Sequence, residues 1–98
     1  MGWYSVRCVF AIGDGMFGER ITVWQAASDD EAIALAETEA TEYADGVGRY
    51  LGLAQSFEMS DEPQAGAEIY SLIRASGLTE DEYLTAFFDT GSEHQHRS

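Results

Sequence analysis

The chain contains no lysine. Its 98 residues carry 18 acids against 5 arginines, a formal net charge of −13. A field of that sign repels phosphate, so nucleic acid and anionic membrane surfaces are excluded as general partners, and basic proteins are favoured. Cysteine is nearly absent too. Cys8 stands alone, which rules out an intrachain disulfide and a cysteine-built zinc site. It falls in an apolar alternating stretch and reads as a small buried hydrophobe. No apolar run approaches the roughly 20 residues that a membrane-spanning helix needs. The start Met1-Gly2-Trp3-Tyr4 lacks the basic and apolar regions of a secretion signal, and Val6 stands where a myristoylation motif needs Ser or Thr. The expected compartment is the cytoplasm.

Histidine is confined to His94 and His96, in a C-terminal stretch where nothing would orient an imidazole, so no metal site is expected. Ser5, Ser56, Ser60 and Ser71 have no histidine in the folded part to activate them. Acids are plentiful, but no spacing singles out a pair for acid–base work. No catalytic residue and no cofactor are assigned.

Apolar residues make up 45% of the chain, with five Phe, five Tyr and two Trp. That is enough to bury one modest core and to offset the ordering entropy of a single domain. From Trp3 to Ile12 the residues alternate, with Tyr4, Val6, Cys8, Phe10 and Ile12 as the core face of a strand. Glu19 to Ala26 reads as a second strand with Ile21 and Val23 inward and Arg20, Thr22 and Trp24 outward. The glycine-rich Gly13–Gly18 segment joins the two as a hairpin. Its G-x-G-x-x-G spacing is not a dinucleotide fingerprint, because strand rather than helix follows it.

Ser28 with Glu31 forms a capping box, and Asp29 and Asp30 suit the positive end of a helix dipole. Ala32, Leu35, Ala36, Ala40 and Tyr43 recur at helical spacing, with Ile33 and Ala44 beside them, and Gly46 is the expected stop. The outward Glu37 and Glu42 have no basic partner on the helix. Arg49 to Met59 reads as a third strand, with Leu51, Leu53, Phe57 and Met59 inward and a bulge or close contact at Gly52. Ala67 to Ala75 reads as a fourth strand. Thr79 with Glu82 repeats the capping box and opens a short helix to about Asp89.

These elements predict an α+β fold of order ββαββα. It is a four-stranded, mainly antiparallel sheet of order 2-1-3-4, with one long helix packed on one face and a short C-terminal helix. Residues 1–91 form a single domain, and 92–98 are expected to be a disordered tail. Alternation places Arg7, Arg20 and Arg74 on the face away from the first helix, with Trp3, Trp24, Tyr50 and Tyr70. Arginine and aromatics together are the composition of interface centres. A face carrying them needs a cover: the C-terminal helix, a second subunit or a ligand.

The leading expectation is a non-enzymatic interaction module that self-associates as a homodimer and binds a protein partner, a basic one in the manner of immunity or antitoxin proteins. The alternative is a small-molecule binder or small enzyme that holds an anionic ligand with the Arg/Trp/Tyr face.

Several segments resemble a small bacterial family known as domain of unknown function family 4288. They are Trp3-Tyr4-Ser5-Val6-Arg7, Glu19-Arg20-Ile21-Thr22-Val23-Trp24, the helix of form SxxEAIxxAExEAxxYA, and Glu68-Ile69-Tyr70-Ser71. The resemblance runs to about Phe88. It implies a stand-alone bacterial domain and assigns no activity and no functional residue.

Overall fold

The structure is a computed structural model that describes residues 1–71 and 76–82. Strand β1 (Gly2–Gly13) lies in the middle of a three-stranded antiparallel sheet, between β2 (Met16–Ala26) and β3 (Arg49–Met59). Helix α1 (Asp29–Ala44) makes the crossover from β2 to β3 and packs on one face. A strand with neighbours on both sides buries one face deeply, and the alternation of β1 reflects that. Tyr4, Val6, Cys8 and Phe10 are buried beneath the helix. The order 2-1-3 expected for these three strands is the order found.

The facing of β2 is a correction. Arg20, Thr22 and Trp24 lie on the α1 side, not the outer side, because they pair with Cys8, Val6 and Tyr4 of the core face. Residues directly opposite in a ladder share a face. The cause is one residue near the hairpin tip. Gly13 pairs with Met16 across the Asp14-Gly15 turn, but Ala11 pairs with Phe17, so Ile12 is an extra residue on β1. Without that bulge Ile21 and Val23 would oppose the core residues. With it the register slips by one and every β2 side chain changes face.

Strand β3 is also faced opposite to expectation. Tyr50 and Ala54 pack on the core, and Tyr50, Ala54 and Ser56 oppose Phe10, Cys8 and Val6. Leu51 and Leu53 are exposed, while Phe57 and Met59 pair with Ser5 and Trp3 on the face away from α1. Small residues at 54 and 56 suit the side where a helix lies close. The irregularity expected at Gly52 is present: the register shifts between Cys8 and Phe10, and Gly52 has φ +80°.

Helix α1 begins as its sequence predicts. The Ser28 side chain accepts from the Glu31 backbone N–H at 3.2 Å, and the Glu31 carboxylate reaches back to the Ala27 N–H at 3.4 Å. Its fully buried stripe is narrower than expected and consists of Ala32, Ala36, Ala40 and Ala44, while Leu35 and Tyr43 are each about two-fifths exposed. Four alanines at intervals of four make a shallow ridge, which lets the helix axis lie close over β1. Gly46, at φ +79°, ends the helix. Gly48 then passes so near β1 that a Cβ there would land on the Ala11 carbonyl oxygen.

Beyond β3, residues 67–71 form no strand, so the described part of the expected fourth strand is not one. Its remaining positions, including Arg74, lie outside the described residues. The second capping box is formed: the Glu82 N–H donates to Thr79 Oγ1, and the Thr79 N–H donates to the Glu82 carboxylate, both at 3.2 Å. The rest of the expected C-terminal helix, the histidines and the expected tail also lie outside the described residues.

Candidate interaction surfaces

Of the seven aromatic and arginine residues singled out from the sequence, Arg74 lies outside the described residues and the other six do not form one surface. Arg20, Trp24 and Tyr50 are on the α1 side of the sheet, and Trp3, Arg7 and Tyr70 are on the other.

On the α1 side Arg20, Trp24 and Tyr50 each already have a hydrogen-bond partner. Arg20 Nη1 donates to both oxygens of Glu39, at 2.7 and 3.0 Å, and its guanidinium lies 3.7 Å from the Tyr43 ring centre. The Tyr50 hydroxyl donates to Glu37 at 2.7 Å, and Trp24 Nε1 donates to Thr22 Oγ1 at 2.7 Å. Phe10 sits edge-on to Tyr43 and tilted against Tyr50. Burial raises the Cys8 thiol pKa, opposed by hydrogen bonding to Tyr50 and helped by the Glu37 and Glu39 carboxylates. Burial, and then the hydrogen bond to Glu37, push the Tyr50 phenol well above its ordinary range. Both groups are therefore held neutral at pH 7. Neither is an activated nucleophile.

On the opposite side Arg7 is the centre of a cluster. Its Nη2 donates to Gln55 Oε1 at 2.7 Å, and the Tyr70 hydroxyl donates to that same oxygen at 2.8 Å. Tyr70 lies over both the guanidinium and the Phe57 ring. Arg7 Nε is 3.4 Å from Glu19, close enough for an ion pair but without hydrogen-bond geometry, and it is a buried atom with no hydrogen bond. Ser5 Oγ is a second such atom on the same face. Arg7 and Arg20 thus point to opposite sides of the sheet, each already beside a carboxylate. An anionic ligand clamped by both has no geometric basis here.

The residues that sequence reasoning left at the margin are at the end of α1. Glu42 and Asp45 are exposed in and just after its last turn, which contains no basic residue. With Thr41, Ala44, Gly48, Arg49 and Tyr50 they line an open cleft of about 560 Å³. Asp30 and Glu31 are exposed at the other end of the same helix. The signal was legible: an acidic helix end with no Lys or Arg anywhere within the helix is visible in the string TEYAD. Among the described residues there is no group of three or more His, Cys, Asp or Glu placed to hold a metal, and no helix long and apolar enough to cross a membrane.

Comparison with protein-family models, curated proteins and solved structures gave no match, so the assignment of a role rests on this geometry.

Proposed function

We propose that the protein is a non-enzymatic, homodimeric interaction module whose acidic α1 surface docks a basic protein partner, in the manner of immunity and antitoxin proteins. In this reading a fourth strand and a C-terminal helix, opened by the Thr79–Glu82 box, complete the fold.

One observation carries the proposal. Glu42 and Asp45 stand at the negative end of the α1 dipole, where an acid is unfavourable and a base would stabilise by about 0.3–1 kcal/mol. A placement that works against the helix is expected where the surface serves binding rather than stability. The charge distribution supports it. Arg7 and Arg20 lie beside Glu19 and Glu39, so two of the five cations are matched by neighbouring acids and the outward field is dominated by carboxylates. Such a field steers a basic protein toward the surface and weakens with salt.

The test is affinity capture from native lysate with the unaltered domain and with a Glu42→Lys/Asp45→Lys variant. A basic protein retained by the first and lost by the second supports the proposal. Capture of a neutral or acidic protein, or equal capture by both, contradicts it.

A further inference from the structure

Strand β2 is an edge of the described sheet. β1 pairs with it along one side, and no described residue pairs with its backbone along the other. Edge strands ordinarily carry some device against further pairing: a proline, a lysine or an inward-facing charge left unneutralised, a bulge, short length, or a helix or loop laid over the edge. β2 has eleven residues and neither proline nor lysine, and its register with β1 is unbroken from Phe17 to Ala26. Its only charged residues, Glu19 and Arg20, cancel and are turned to the two faces, toward Arg7 and Glu39. In a chain of net charge −13 this strand is neutral, so a second copy meets no surplus of carboxylates along it. The other edge is less suited, because Gly52 and the register shift break the regularity of β3.

We infer that β2 pairs antiparallel with β2 of a second copy about a two-fold axis at Thr22, giving one sheet continuous across the two copies. The side chains select that register. An axis at Thr22 sets Arg20 opposite the partner's Trp24 on the α1 face. On the other face it sets Ile21 opposite the partner's Val23 and Glu19 opposite the partner's Gln25. These are a cation–aromatic, an apolar and a hydrogen-bonding pair, each favourable across an antiparallel ladder. An axis at Arg20 would set guanidinium against guanidinium. An axis at Ile21 would leave Arg20 facing Thr22 and Glu19 facing Val23. Ile21, at 41% exposure, has apolar surface left to bury in the Thr22 arrangement. The contact is isologous and closes at two copies. It rests on the homodimeric part of the proposed function and is independent of the basic partner.

The test is sedimentation velocity on the full chain, on Thr22→Glu, on Thr22→Lys, and on an equal mixture of the two variants, with circular dichroism to check folding. The full chain is expected to be a dimer that tightens as salt rises, because two copies of charge −13 repel. Each variant is expected to be monomeric, since like charges then face one another across the axis, and the mixture is expected to dimerise. A monomeric full chain at high concentration and high salt overturns the inference. So does a dimer that persists in both variants, or a mixture that stays monomeric. If a variant fails to fold, amide exchange on the full chain decides. Dilution should strip protection from the β2 amides that point away from β1 and leave β3 unchanged; protection of those outward amides that does not vary with concentration overturns the inference. A Thr22→Glu monomer that still binds the basic partner would separate the two readings.

Discussion

Arg20 and Glu39 form the best-made polar contact at the residue scale, because both carboxylate oxygens and an aromatic ring converge on one guanidinium. Both side chains are about one-third exposed, so solvent screens the pair. Arg20→Ala is expected to lose about 1–2 kcal/mol in denaturant unfolding, from the ion pair and the Tyr43 stacking together. Arg20→Lys should recover only part of it, since an ammonium that reaches Glu39 gives up the planar guanidinium's stacking on the Tyr43 ring. Cys8 and Tyr50 make a second residue-scale prediction. Their folded pKa values lie above the ordinary 9.0 and 10.0, chiefly through burial. The folded state therefore favours the neutral forms. The stability this contributes is complete below those ordinary values and is lost as pH rises through the raised ones. A pH series of thermal melts should stay level near neutrality on this account and fall in the alkaline range. A native thiol titration should find Cys8 unreactive until the chain unfolds.

At the scale of elements, the sequence exposed existence far better than orientation. The three strands, the helix and both capping boxes were legible because each depends on local signals: alternation, an Ser28–Glu31 spacing, an Ala stripe, a terminal Gly46. The faces of β2 and β3 were not. They depend on register: that of β2 turns on Ile12, one residue that no local pattern marks as extra, and that of β3 on its own pairing with β1. The candidate site inherited both errors: Arg20 and Trp24 were placed on the wrong side by the β2 slip, and Tyr50 by the facing of β3. Two measurements check this level. Ser28→Ala should cost about 1 kcal/mol of stability by removing the N-cap acceptor. Gly48→Ala should be worse than its size suggests, because the new methyl meets β1 backbone that cannot move aside cheaply. A variant as stable as the parent would mean that the approach of residue 48 to Ala11 is not tight.

For the whole molecule the deciding quantity is where its charge faces. The core joins a nearly all-alanine helix ridge to the buried side of β1, and Arg20 is drawn against α1 by Glu39 while Arg7 sits beside Glu19. Among the described residues most of the remaining outward charge is acidic, with Arg49 exposed beside Glu42 and Asp45, and within the last turn of α1 it is acidic against the interest of the helix. Glu42→Lys/Asp45→Lys should therefore raise stability by a few tenths of a kcal/mol to about 1 while weakening partner binding. Opposite signs of that kind are hard to obtain from a merely structural role. The most direct measurement is isothermal titration of the captured basic partner against three proteins: the parent, Glu42→Lys/Asp45→Lys, and Asp61→Lys/Glu62→Lys. The two variants change net charge equally but at different places. Docking on α1 predicts that the first loses affinity by about tenfold or more, roughly 1.4 kcal/mol, while the second stays close to the parent. Equal losses in both would mean that only net charge matters, and no loss in the first would remove the α1 surface from the account.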